Sequence, residues 1–224
     1  MAGIAGVIGG RADDTPELVA ALGKALVHSG RTVLEPWSDG AAGLCRARSG
    51  VDNPDPQPVF SADRSKCLVL FGECFGYEQR KAELAATGYR FERQDDDAEF
   101  CLALVEQEGE RGLAALSGSF CFAHYDSRKR ELMLVSDRLG TRPVTKIICS
   151  IPASRASSTA YWISGRSTTG SISLGIALVA GRKRVPRPAT GKTALRIGFM
   201  GAGLAAIVGQ EKGGAAVPIR LIAA

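Results

Sequence analysis

The sequence predicts an α+β domain over residues 1–144, followed by a basic tail of uncertain fold over residues 145–224. Three observations predict it. Short β-prone runs alternate with helical patterns through the first 144 residues, then give way to a hairpin signature. The charge divides unevenly: residues 1–144 carry 17 Lys+Arg and 22 Asp+Glu, a net −5, whereas residues 145–224 carry 11 Lys+Arg and one acid, Glu211, a net +10. Composition also shifts beyond Val144 towards Ser, Ala, Gly, Arg and Thr. The overall net charge of +5 therefore describes neither part.

The opening Ile4-Ala5-Gly6-Val7-Ile8 is a β-prone run stopped by Gly9-Gly10, which predicts a strand at the terminus. Thr15-Pro16-Glu17 reads as a helix N-cap, an N1 proline and a first-turn acid. Leu18, Leu22, Ala25 and Leu26 then form an apolar stripe before Gly30. Ala41 to Leu44 reads as extended, Asp52-Asn53-Pro54-Asp55 as a turn, and Lys66 to Gly72 as a buried strand. A helix is predicted from Tyr77 to Thr87, stopped by Gly88, and another from Glu99 to Gln107 with Asp95-Asp96-Asp97 at its cap. Ser119 to Tyr125 and Glu131 to Val135 make a hairpin around Asp126-Ser127-Arg128-Lys129.

Several function classes fall on composition. Hydrophobic residues make up 45% and charged residues 23%, a globular rather than a disordered balance. No basic residue precedes the N-terminal apolar run, which argues against a secretory leader. The longest charge-free apolar run after Arg196 is 12 residues, Ile197 to Val208, where a spanning helix needs about 20. Membrane partners are thus not expected. The six cysteines show no CxxC, and His28 and His124 are isolated, so neither zinc nor another cofactor is called for. Reduced, buried thiols in a cytoplasmic protein are the expectation.

The order of motifs resembles class II glutamine amidotransferase domains, especially those of asparagine synthetase-like proteins. Met1-Ala2-Gly3-Ile4-Ala5-Gly6 is similar to their M-C-G-I-x-G opening, and His28-Ser29-Gly30-Arg31 to a worn HRGPD. Gln57-Pro58-Val59, Phe71-Gly72-Glu73 and Asp97-Ala98-Glu99 resemble the QP-hydrophobic, N-G-E and D-T-E segments. Gly118 to Asp126 looks like G-x-F-x-F-A-x-x-D, and Ser136 to Pro143 like R-D-R-x-G-x-K-P. The resemblance covers residues 1 to about 144. It implies a four-layer αββα N-terminal nucleophile hydrolase-like sandwich, in which an N-terminal cysteine attacks the glutamine side-chain amide and ammonia leaves for a synthetase domain.

Two positions depart from that chemistry. Ala2 stands at the nucleophile position, and a methyl group cannot form a thioester. Phe71 stands where the family's asparagine donates to the oxyanion, and a phenyl ring cannot donate that bond. The expectation is a domain without glutaminase activity and without an ATP-dependent synthetase domain, since no S-G-G-x-D-S run occurs. The resemblance assigns substrate binding to Arg48, with Arg46 as an alternative register, and to Gly72, Glu73 and Asp97. A cation with two anions suits the zwitterion of glutamine or a related amino acid. The same residues also read as inherited scaffold, with Asp97 capping a helix and Asp137-Arg138 pinning a loop. A non-catalytic amino-acid-binding or interaction module is the alternative function, and a separate synthetase domain is the implied partner.

In the tail, Leu195 to Ala206 imitates a strand followed by G-x-G-x-x-A, the dinucleotide fingerprint, but lacks the full βαβ unit and the acid about 20 residues on that it requires. Pro186 occupies the first glycine position of the P-loop imitation ending at Gly191-Lys192-Thr193. Gly181-Arg182-Lys183-Arg184 with Arg187 reads as a solvated basic loop rather than a nucleic-acid site. The tail is expected to be poorly ordered or translated in a shifted reading frame.

Overall fold

Strand β1 (Gly3–Ile8) is buried at all six positions, because it lies inside a sheet rather than at its edge. The computed structural model of the protein describes residues 3–9, 12–27, 30–50 and 52–142, and the backbone of strands between 146 and 223. Elements follow as α1 (Thr15–Ala25), β2 (Val33–Ser38), β3 (Ala42–Arg48), β4 (Val59–Phe60), β5 (Lys66–Cys74), α2 (Glu78–Ala86), α3 (Asp97–Glu108), α4 (Glu110–Leu113), β6 (Gly118–Asp126) and β7 (Glu131–Ser136). Six further strands follow: β8 (Lys146–Ile151), β9 (Thr159–Thr168), β10 (Ser171–Ala180), β11 (Ile197–Met200), β12 (Gly203–Ile207) and β13 (Pro218–Ala223).

The strands form two sheets, ordered β10-β9-β8-β1-β3-β2 and β11-β12-β13-β7-β6-β5-β4. Pairing is antiparallel except at β1–β8 and β7–β13, where strands from beyond residue 145 join each sheet in parallel. Three apolar clusters account for the packing. Ala5, Val7, Val19, Leu22, Cys45 and Ala47 join α1 to one face of β1 and β3. Ile4, Leu44, Val69, Cys121, Ala123 and Leu134 fill the space between the sheets. Leu68, Leu70, Phe100, Leu104, Phe120 and Phe122 join the second sheet to α3. Consecutive residues Leu68, Val69 and Leu70 are all 0% exposed, serving the two faces of β5 alternately. Each such side chain contributes roughly 1.5–3 kcal/mol of burial.

The predicted elements form, with instructive shifts at their ends. Helix α1 begins as foreseen, but its cap position is Asp14, and the Thr15 hydroxyl donates instead to the Gly40 carbonyl at 2.8 Å. The cap of α3 is Asp96, whose Oδ1 accepts from Ala98 N–H and Glu99 N–H at 2.8 and 3.1 Å. Asp97 is therefore the first residue of that helix and not its cap. The β6–β7 hairpin turns on Asp126, which accepts from Arg128 N–H and Lys129 N–H, both at 3.0 Å. Strands β2 and β4 and helix α4 carry no periodic signal and form only through their neighbours. Pro36 is tolerated because β2 is an edge strand. The five described cysteines are buried free thiols. Burial pushes the Cys45 thiol up to about 11 and the Cys67 thiol up to about 12. Among the described residues no helix is long and apolar enough to cross a membrane.

His124 lies on the α3-facing side of β6, 7% exposed, and its Nε2 has no hydrogen-bond partner among the described residues. Burial, reinforced by the Lys66 charge and opposed by Asp126, holds its pKa down to about 4. The unfolded chain then binds the proton first as pH falls. Stability from the neutral imidazole is complete above about 6.5 and is lost between there and about 4. The loss is expected to reach about 3 kcal/mol. Urea denaturation of wild type and His124→Met across that window checks it: the variant should lack this part of the pH slope, and an unchanged slope would contradict the assignment.

Candidate functional site

The residues singled out by sequence converge where the ends of β3 and β5 meet the start of α3 and the 52–55 turn. Arg46 and Arg48 share one face of β3, on the same side as Leu44, which packs between the sheets. Arg46 is the larger commitment. Its side chain is 1% exposed, and all three guanidinium nitrogens are used: Nε donates to Glu35 Oε2 at 2.6 Å, Nη1 to the Asn53 carbonyl at 3.0 Å and Nη2 to the Asp55 carbonyl at 2.7 Å. Arg48 is 21% exposed and donates through Nε to the other oxygen of the same carboxylate, Glu35 Oε1, at 2.8 Å. One carboxylate thus holds two guanidinium groups, each on its own oxygen.

Asn53 carries the network onward. With φ at +48°, it sits in the left-handed region that asparagine tolerates better than most residues. Its Nδ2 donates to the Gly72 carbonyl at 2.7 Å and to Asp97 Oδ2 at 3.1 Å, and its Oδ1 accepts from Asp97 N–H at 3.2 Å. Asp97 is buried and also accepts from Cys74 N–H at 2.8 Å and the Tyr77 hydroxyl at 2.7 Å. Tyr77 stacks on Phe100 with centroids 4.4 Å apart, which fixes the hydroxyl over α3. Burial, and then the bond to Asp97, pushes the Tyr77 phenol well above its ordinary range.

Gly72 has φ at +105°, and a Cβ there would collide with the Ser119 carbonyl oxygen. Glycine is therefore required by the close approach of β6 to β5. Glu73, the next residue, is exposed and makes none of these bonds. Phe71 is half-buried against the cluster between the sheets, with the Arg142 guanidinium 5.1 Å from its ring centroid. Arg142 Nε donates to Ser119 Oγ at 3.1 Å, and its Nη2 lies 3.9 Å from Asp52 Oδ2. Asp137 pins the following loop alone, accepting from Leu139 N–H, Thr141 N–H and the Thr141 hydroxyl, while Arg138 is exposed and outside that set. Ala2 and His28 lie outside the described residues.

The structure thus brings Arg46, Arg48, Gly72 and Asp97 into one network and leaves Glu73 at its edge. Glu35, Asn53, Tyr77 and Arg142 are the residues that sequence reasoning missed. Asn53 carried a signal in its place in the Asp52-Asn53-Pro54-Asp55 turn, Tyr77 at the start of the predicted helix and Arg142 inside the Ser136 to Pro143 motif, but none of the three pointed to the site. Glu35 carried none, because its role depends on β2 lying beside β3 with Glu35 opposite Arg46. Among the described residues no group of three or more His, Cys, Asp or Glu side chains is placed to hold a metal.

Two substitutions measure how far this network is structural. Asp97→Ala leaves the buried Cys74 N–H and the part-buried Tyr77 hydroxyl without their acceptor and takes one of two from Asn53 Nδ2, at an expected cost of about 3 kcal/mol, whereas Tyr77→Phe removes one part-buried bond and should cost about 1 kcal/mol. Urea denaturation midpoints give both values. An Asp97→Ala variant as stable as wild type would show that these bonds do not hold the β5–α3 junction.

Residues 1–161 match the glutamine amidotransferase domain family. Asparagine synthetase B [glutamine-hydrolyzing] of Escherichia coli (strain K12) is 33% identical over 93 residues, 41% of this chain and 16% of that protein. The asparagine synthetase [glutamine-hydrolyzing] of Sandersonia aurantiaca is 28% identical over 152 residues, 64% of this chain and 28% of that protein. A solved glutamine phosphoribosylpyrophosphate amidotransferase from B. subtilis matches at 17% identity and a TM-score of 0.41, over 61% of this chain and 35% of that one. The chain spans less than a third of the length of either of these asparagine synthetases. With the family match running through most of its length, the chain belongs to the glutamine amidotransferase domain family.

Proposed function

We propose that this protein is a class II glutamine amidotransferase-like domain of asparagine synthetase ancestry that does not hydrolyse glutamine. The observation that carries the reading is Ala2. Where the resemblance calls for a cysteine, the chain presents a methyl group with no lone pair and no ionisable proton. Loss of the nucleophile removes covalent catalysis rather than weakening it. Phe71 supports the reading independently. It stands where the resemblance calls for the oxyanion-donating asparagine, and loss of one such donor typically costs about 10²–10³ in rate. The three apolar clusters support an αββα layering of the N-terminal nucleophile hydrolase type.

The alternative, a non-catalytic module that binds amino acids through Arg48, Glu73 and Asp97, is the weaker reading. It needs Asp97 to receive an α-ammonium, yet its two oxygens already accept from Cys74, Tyr77 and Asn53. The 145–224 segment, which the family match enters only as far as residue 161, is a separate question. Its single acid among 11 basic residues supports a separate origin, tested by translating its coding sequence in the other two frames. A S-G-G-x-D-S run there would mark a shifted frame, and open frames without one would mark the segment as genuine.

Ammonia release from L-glutamine, measured on the full chain, tests the proposal. The expected rate equals the enzyme-free blank, and any turnover restored by Ala2→Cys is expected to stay about 10²–10³ below that of a cysteine site with its oxyanion donor, because Phe71 supplies none. Turnover of glutamine by the wild-type chain would overturn the reading.

A further inference from the structure

We infer that Glu35 determines the specificity of this site: its carboxylate stands in for a ligand's α-carboxylate and closes the arginine pair to free amino acids. The inference rests on the reading of Arg48 as the carboxylate-binding position. The geometry is that of a bound carboxylate. Oε1 accepts from Arg48 Nε at 2.8 Å and Oε2 from Arg46 Nε at 2.6 Å, with Glu35 itself only 11% exposed. These are charge-assisted bonds, the same kind that an amino-acid carboxylate would form.

Competition favours the resident group. Strand pairing sets Glu35 opposite Arg46 and Val33 opposite Arg48, so the carboxylate is delivered to both cations by the sheet itself. A dissolved amino acid loses translational and rotational freedom on binding, whereas Glu35 does not. Arg46 cannot turn to a second carboxylate, because its remaining nitrogens are held by the Asn53 and Asp55 carbonyls. Arg48 Nε is committed to Glu35, which removes the side-on grip and leaves an outside carboxylate only an end-on contact with the two terminal nitrogens, in competition with Glu35 for the same charge. The other end of a zwitterion fares no better at Asp97, which is already occupied by three donors. Removing the negative charge at residue 35 therefore releases the Nε of both arginines, while Arg46 stays tied to the Asn53 and Asp55 carbonyls.

Calorimetric titration of the full chain with L-glutamine, and with the glutamine α-amide that lacks the carboxylate, tests this. Wild type is expected to give no saturable heat at up to about 10 mM ligand, and Glu35→Ala to bind L-glutamine at least about tenfold more tightly. That gain should vanish in Glu35→Ala/Arg48→Ala and should be absent for the α-amide. Glu35→Gln, which keeps the side-chain length and one acceptor oxygen beside the buried Arg46, serves if the alanine variant does not fold. It is expected to show the same gain in smaller measure. Arg48-dependent binding of L-glutamine by wild type, or a folded Glu35→Ala or Glu35→Gln that binds no better than wild type, overturns the inference. Binding by wild type without ammonia release would sink this inference alone, whereas ammonia release would sink the non-hydrolysing reading.

Discussion

A buried guanidinium organises this end of the molecule. Arg46 is 1% exposed, and an unpaired charge at such a site is not sustainable. Its three bonds therefore dictate where other parts of the chain must lie: Glu35 on β2, and the carbonyls of Asn53 and Asp55 in the following turn. That turn in turn delivers the Asn53 side chain to Gly72 and Asp97. Removing one partner of a buried ion pair typically costs about 3–5 kcal/mol, because the other charge is left unanswered. The site is thus built around a charge that has to be satisfied internally before any ligand is considered.

This internal satisfaction bears on function. In a binding pocket, some donors and acceptors face outward with incomplete partners. Here both oxygens of the acid and every guanidinium nitrogen of the more buried arginine have a protein partner, and the second arginine shares the carboxylate that holds the first. Together with Ala2 and Phe71, this supports the proposed reading, in which the polar residues of an amidotransferase domain serve the β3–β5–α3 junction. The Arg142 guanidinium over Phe71 adds to the same picture, since it packs a cation on the ring and ties the 137–142 loop to Ser119.

Much of the fold is legible in the sequence because local rules and burial agree there. The α3 segment is apolar for most of its length and capped by an aspartate, and β5 is apolar because it is buried on both faces. The hairpin is legible because Asp126 closes its turn by bonds to the next residues. Strand β2 is not legible: Val33–Ser38 contains Glu35 and Pro36, lacks alternation, and exists only as the edge partner of β3. The site is legible only in part. Arg46, Arg48, Gly72 and Asp97 stand out by motif, but Asn53 meets Asp97 across 44 positions. Glu35 meets the arginines across 11 and 13 positions. Contacts of that range are written in the strand pairing, not in any spacing.

The most direct test follows the Nε–H resonances of Arg46 and Arg48 in a ¹⁵N NMR spectrum of the full chain as L-glutamine is added. Both signals report a guanidinium already bonded to Glu35. The account predicts that neither resonance moves as glutamine rises through the millimolar range. A saturable shift of the Arg48 signal would mean that an outside carboxylate displaces Glu35, and the view of this site as internally closed would fail.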